Sequence, residues 1–393
     1  MYRVVPVCVL LCLSCSGFGQ TATPNAAPAA APLQLVYAID GSTLTTYNVD
    51  RQTLQATQVG ATTVQQSVYP TLTTSPNGEI IYYTAFQNTN QQGERLYVYN
   101  TTGSGVPETL PIQTLNATGF SSLQVDPTNK FLYLVHQGAI GSQYTTYTIR
   151  RFVINQTNGK ISQAVTEATY KLDSVISGLY CSLSIDGINA AGTKLYDVVS
   201  CSYPHGGTSA TYYERSVDPQ TGTLGPDQEI YNFNNNSGED NQQVQFVKNL
   251  MFDFVSPNTY PTANVVNVYP IKPNVKTPLI SCTGSMLADC GSNFFGVVHP
   301  SAEYLFMINP QTFGTSIDKV EVSSRQIVGT LSTIPYEVQQ FSPDGTIAYA
   351  ANDVNTALDI EIYGFSVSNA KVRAGGLIYV PSDLDSWFPA ERR

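Results

Sequence analysis

Apolar and polar residues alternate along most of this chain in short runs, and the runs recur in a fixed order. An alternating run leads into a turn, and a second apolar run rich in Tyr follows. The unit first appears as Thr71-Leu-Thr-Thr-Ser-Pro-Asn-Gly followed by Ile80-Ile-Tyr-Tyr, and next as Leu123-Gln-Val-Asp-Pro-Thr-Asn followed by Phe131-Leu-Tyr-Leu. Degenerate copies are Leu183-Ser-Ile-Asp-Gly with Leu195-Tyr-Asp-Val, and Val244-Gln-Phe-Val-Lys-Asn with Met251-Phe-Asp-Phe. Two more are Gly296-Val-Val-His-Pro with Tyr304-Leu-Phe-Met, and Gln340-Phe-Ser-Pro-Asp-Gly with Ile347-Ala-Tyr-Ala. A period of two with β-branched and aromatic residues predicts strands. Pro presets φ at the turns, and Gly or Asn supplies positive φ.

Several copies continue into a third run, a turn and a fourth: Thr148 to Asn155 then Lys160-Ile-Ser-Gln, Tyr212 to Asp218 then Thr223-Leu, and Glu361 to Val367 then Lys371-Val. Four short strands at a period of about 50 residues describe a propeller blade. Leu33 to Asp40, Thr43 to Asp50 and Gln52 to Val59 supply second, third and fourth strands of a further blade that lacks a first. Asp385-Ser-Trp-Phe-Pro-Ala, at the other end of the chain, resembles the missing strand. The expected fold is therefore an all-β, seven-bladed β-propeller over residues 33–393, its ring closed by pairing of the N- and C-terminal strands. Two packed β-sandwiches are the structural alternative.

The first residues add a compartment. Arg3 precedes a mostly apolar run, Val4 to Leu13, and the small residues Ser16, Gly17 and Gly19 follow. This is the layout of an export signal over residues 1–19, too short to span a bilayer. Residues 20–32 are rich in Ala and Pro and read as a tether. A lipid anchor on Cys15 or Cys12 is the other reading of the same segment. The expected location is secreted, or periplasmic and cell-envelope.

Beyond the signal lie Cys181, Cys201, Cys282 and Cys290. An even number in an exported chain predicts disulfides. Cys181 and Cys201 fall in consecutive strands, and Cys282 and Cys290 bracket a short loop, so the favoured pairs are 181–201 and 282–290. The mature chain has no Cys-x-x-Cys pair, and the three His are scattered. No metal and no cofactor is therefore expected. Charged residues make up only 12 % of the chain and the net charge is −10, with no basic block. That excludes a nucleic-acid footprint, and a monomer is expected.

The turns between third and fourth strands carry a family resemblance. Val217-Asp-Pro-Gln-Thr-Gly-Thr-Leu and Ser342-Pro-Asp-Gly-x-x-x-Tyr349 resemble the blade turns of the lactonase-type, 6-phosphogluconolactonase-like seven-bladed propellers. Asn155-Gln-Thr-Asn-Gly-Lys-Ile and Asp50-Arg-Gln-Thr-Leu are looser echoes. That family often places an aromatic two positions before the apolar residue; Tyr47 and Phe152 keep it, whereas Arg215 departs from it. The resemblance implies a lactone-opening or cycloisomerase-type ring. The Asp-Leu-Gly-x-Asp segment of catalytically competent relatives has no counterpart here, and Asn352-Asp-Val-Asn occupies a comparable place without the pattern.

Lactone hydrolysis needs a base for water and donors for the developing oxyanion. His136, His205 and Glu337 are the candidate catalytic groups; Tyr336, Asn352 and Asp353 are candidate ligand-binding groups. All are expected at one end of the ring, where loops enter first strands and leave second strands. Each also has an ordinary reading as a rim, loop or surface residue. The favoured expectation is an exported recognition or scaffold propeller whose Tyr-, Asn- and Thr-rich rim binds a polar small molecule, a glycan or a cell-envelope protein. Lactone hydrolysis or cycloisomerisation is the alternative. A phosphorylated sugar lactone is disfavoured, because no cluster of Arg or Lys stands on a candidate rim.

Overall fold

The apolar runs that follow the Pro/Gly turns become the second strands of blades, shut off from water on both faces. Ile80–Ala85 is buried at every position. Burial then thins outward: Arg95–Asn100 is buried at its four central positions, and Gln113–Asn116 at none. The computed structural model describes residues 32–392 except 68–69, 86–94, 117–119, 141–143, 174–179, 203–207, 236–239, 258–264, 273–276, 284–294, 309–313, 355–356 and 381–386. The expected signal and tether lie outside the described residues.

The described strands form seven four-stranded antiparallel sheets, and no helix occurs among the described residues. Blade 1 takes Leu33–Asp40, Thr43–Val49 and Ala56–Thr63 from the start of the chain and its innermost strand, Trp387–Arg392, from the end. Leu35 pairs with Ala390 and Ala38 with Trp387, which closes the ring as the sequence predicts. Blade 2 is Thr71–Thr74, Ile80–Ala85, Arg95–Asn100 and Gln113–Asn116; blade 3 is Phe120–Val125, Phe131–Ile140, Tyr144–Val153 and Val165–Asp173. Blade 4 is Tyr180–Ile188, Lys194–Ser202, Thr208–Ser216 and Gln228–Asn235; blade 5 is Asp240–Val247, Leu250–Pro257, Val265–Pro270 and Ile280–Thr283. Blade 6 is Phe295–Val298, Tyr304–Ile308, Thr315–Glu321 and Gln326–Ile334; blade 7 is Glu337–Phe341, Ile347–Val354, Ala357–Ser366 and Lys371–Val380.

Three fourth strands start later than the sequence suggests. In blade 1 the strand begins at Ala56 rather than Gln52, because Asp50–Leu54 is a turn. In blades 3 and 4, Ile161 and Leu224 form only single bridges, to Ile154 and Val217. The outer strands themselves, Val165–Asp173 and Gln228–Asn235, follow several residues later. These strands are largely polar and exposed, so they carry little of the apolar periodicity that marks inner ones.

The buried core divides, among the described residues, into seven clusters, each bridging two neighbouring blades. Polar latches reinforce the interfaces; between blades 6 and 7 the Tyr304 hydroxyl donates to Val367 O at 2.5 Å. The second-strand Tyr37, Tyr82 and Tyr133 each donate their buried hydroxyl to a carbonyl in the next blade's third-to-fourth-strand turn: Gly105 at 2.8 Å, Gly159 at 3.2 Å and Gly222 at 2.6 Å. The turns of Gly159 and Gly222 are the family-like motif seen in sequence. Asp218 Oδ1 accepts the N–H groups of Gln220 and Thr221, and Gly222 takes φ +72°. In blade 1, Leu54 fills the same left-handed position with φ 59°.

Cys181 and Cys201 face each other across the first two strands of blade 4 and are disulfide-bonded, as expected. Cys282 is also disulfide-bonded, whereas Cys290 lies outside the described residues.

Candidate functional site

First strands line the axis. Ile185 N–H donates to Ser122 Oγ between blades 4 and 3, and Gln245 binds Gly296 O and Val298 N–H between blades 5 and 6. Gln340 Nε2 donates to Trp387 O between blades 7 and 1. Each first strand starts at the same end of the ring, here called the mouth, where the connections into first strands and out of second strands also lie.

The register fixes the height of the sequence-predicted residues. Glu337 begins the first strand of blade 7 and opposes Ala351, so Tyr336, Glu337, Asn352 and Asp353 share the mouth end of that blade. Of Asn352 and Asp353 only the strand backbone is described. Thr315, the first residue of the third strand of blade 6, pins the segment. Its hydroxyl donates to Tyr336 O at 2.8 Å and accepts the Val338 N–H at 3.0 Å. Glu337 is half-buried, and burial raises its carboxyl above the ordinary carboxylate value.

His136 lies in the second strand of blade 3 opposite Phe120, the residue that begins the first strand, and is therefore also at mouth height. It is 9 % exposed. Burial, and then the positive charge of Arg150, push its pKa down to about 4, so the imidazole is neutral near pH 7. Blade 3 and blade 7 stand three apart around the ring (7, 1, 2, 3), which puts the channel between His136 and Glu337. His205 lies outside the described residues. His136 and Glu337 thus stand on separate blades at the mouth end of the ring.

Sequence reasoning missed Asp186. It sits on the innermost strand of blade 4 at a register shift between Ile185 and Gly187. Its side chain is open to solvent, yet burial raises its pKa to about 6. A group both wetted and enclosed by protein is placed as on the wall of a water-filled channel, and that water screens the charge and tempers the shift. The extra residue interrupting the repeat at Ser184-Ile-Asp-Gly was its only trace in the sequence. Most other half-buried polar residues of the inner strands are uncharged: Thr73, Ser122, Gln124, Ser182, Ser184, Gln243 and Gln340. The Gln243 Oε1 is buried without a hydrogen-bond partner. Such a lining offers donors and acceptors rather than charge.

His299, the third histidine, is part of the frame. It is buried, its ring packs on Phe306, Phe341 and Phe365, and Nε2 lies 2.8 Å from Gly345 O in the adjacent turn of blade 7.

The ring and its inner-strand lining define a seven-bladed β-propeller. Among solved structures, the chain is similar to the periplasmic gluconolactonase of Pseudomonas aeruginosa, with TM-score 0.58 and 11 % identity, covering 91 % of this chain and 99 % of that one. It is also similar to provisionally assigned 6-phosphogluconolactonases of Bacteroides uniformis (TM-score 0.56, 12 % identity, 90 % and 99 % covered) and Bacteroides fragilis (TM-score 0.57, 12 % identity, 90 % and 98 % covered). At these identities the likeness is one of fold. No protein-family profile and no curated protein matches the sequence.

Proposed function

We propose that this chain is an exported recognition propeller that holds a polar, polyhydroxylated small molecule, of the sugar-lactone or sugar-acid class, at the mouth of its channel. The observation that carries the reading is the inner-strand lining of neutral amides and hydroxyls, from Thr73 and Ser122 round to Gln243 and Gln340. Neutral donors and acceptors match sugar hydroxyls. Export is supported by the leader-like first residues and the disulfide between Cys181 and Cys201. No helix among the described residues is long and apolar enough to cross a membrane.

Lactone hydrolysis is the second reading, and the likeness of the whole ring to proteins described as gluconolactonases favours it. Against it stands the pKa of His136, about 4. Efficient general-base catalysis near neutrality asks for a base whose pKa lies close to the working pH. Titration calorimetry of the mature protein with aldonic acids, aldonolactones and short neutral oligosaccharides tests the proposal. Saturable binding of at least one class, weakened tenfold or more by Gln243→Leu with the fold intact, is the expected result. Absence of saturation by all three classes overturns it.

A further inference from the structure

A basic groove lies on the seam of ring closure, at the end opposite the mouth. There the third-to-fourth-strand turn of blade 1 meets that of blade 7, and a cavity of ≈ 550 Å³ opens between them. Its walls carry Arg51, Lys371 and Arg373, and its floor includes Leu54 and Phe365, both buried. Arg51 and Arg373 come from opposite ends of the chain, yet the Arg373 guanidinium donates to Arg51 O at 3.4 Å. Arg51 Nη1 also lies 2.5 Å from Asp344 Oδ2. Two carboxylates also stand nearby, Asp344 beside Arg51 and Asp50, whose charge is stabilised in part by Arg373, so the three cations outnumber the acids by one. Asp344 accepts from Ser342 and Thr346 as well, and Asp50 accepts the N–H groups of Gln52 and Thr53 within its own turn.

Among the described residues, neither Lys371 nor Arg373 is within ion-pair distance of a carboxylate. Arg151, Lys194, Arg215 and Lys319, by contrast, each have one. A chain with net charge −10 and only 19 basic residues thus gathers three around one hollow. Guanidinium forks match tetrahedral oxyanions in geometry, and an apolar floor under cationic walls suits a ligand with a hydrophobic body and an anionic head. The volume lies within the usual range for small-molecule sites. We propose that this groove binds a small molecule bearing a phosphate or sulfate ester on an apolar or ring-shaped body. The site is independent of any ligand at the mouth.

The test is titration of the mature protein with phenyl phosphate, phenyl sulfate and phenol at low salt, followed by calorimetry or ligand-observed NMR. Saturable binding of phenyl phosphate or phenyl sulfate, but not of phenol, is expected. Which ester saturates tells the two sources apart. The affinity should fall at least tenfold in Lys371→Met/Arg373→Gln and stay unchanged in Lys319→Met, with the thermal midpoints of both variants unmoved. Binding that is absent for both esters, or that falls equally in the two variants, overturns the proposal.

Discussion

The left-handed position in the third-to-fourth-strand turns of blades 2, 3 and 4 lies directly against a side chain of the neighbouring blade. Gly159 has φ +69°, and a Cβ there would come 2.3 Å from Ile80 Cδ1 of the neighbouring blade. Gly159→Ala therefore adds backbone strain of ~1–2 kcal/mol to an overpacking cost of ~1–3 kcal/mol. Chemical denaturation should show a loss of about 2–5 kcal/mol, against about 1 kcal/mol for Tyr82→Phe, which removes only the hydroxyl bond to the same glycine. Leu54 keeps this conformation without being glycine because its side chain is buried in the cluster between blades 7 and 1, 1 % exposed.

His136 gives a prediction in pH. Its folded pKa of about 4 lies below the ordinary 6.5. The unfolded chain therefore takes up a proton first as pH falls. The stability that neutral His136 maintains is complete above about pH 6.5 and is lost on acidification toward pH 4, by up to about 3 kcal/mol. His136→Gln should flatten the acid limb of a stability–pH curve in this window. An unchanged slope would show that the imidazole is not held neutral by its surroundings.

Elements differ in how they repeat. Blades 1 to 3 present a Tyr from the second strand to the next blade, a place held by Tyr196 in blade 4 and Phe252 in blade 5; on the opposite face of the same strands, toward the preceding blade, blades 4 and 5 carry Asp197 and Asp253. Each carboxylate accepts from a Tyr on the last strand of the preceding blade, Tyr170 for Asp197 and Tyr231 for Asp253. Arg215 joins the first pair: Nε lies 3.2 Å from Asp197 Oδ1, and an Nη bonds the Tyr170 hydroxyl. The departure of Arg215 from the aromatic seen at Tyr47 and Phe152 thus has its partner in Asp197. Arg215→Ala strands a fully buried carboxylate and should cost about 3–5 kcal/mol in chemical denaturation. Arg215→Ala/Asp197→Ala should cost much less than the two single losses added together.

How legible an element was followed how much apolar surface it buries. First and second strands showed plainly in the sequence, and the terminal strand at Trp387–Arg392 was found from its likeness to them. The outer strands Val165–Asp173 and Gln228–Asn235 were misplaced, because polar exposed strands leave no period to read. The candidate site was less legible still. The mouth takes its residues from separate repeats, so no local spacing joins Glu337 to His136, and Asp186 showed only as an interruption of a repeat. The basic groove escaped for the same reason, since Arg51 and Arg373 are brought together only when the ring closes.

At the scale of the molecule, seven interfaces between seven blades close the ring, and the last strand is the piece that covers the edge of Leu33–Asp40 and completes blade 1. The chain's one Trp stands there, 6 % exposed and edge-on to Tyr349 at a centroid distance of 5.9 Å. Its fluorescence therefore reports closure directly. In equilibrium unfolding, the Trp387 signal should change together with far-UV circular dichroism, and Trp387→Ala should destabilise by about 3–5 kcal/mol. An earlier Trp transition would show a ring that opens at the seam before it melts.

The choice between recognition and hydrolysis is decided most directly by pH-stat measurement of ring opening, with purified mature protein and a panel of sugar and simple lactones near neutral pH. Recognition predicts base uptake no faster than in buffer, even at lactone concentrations that saturate binding. Protein-dependent opening that is lost in His136→Ala with the fold intact would contradict it.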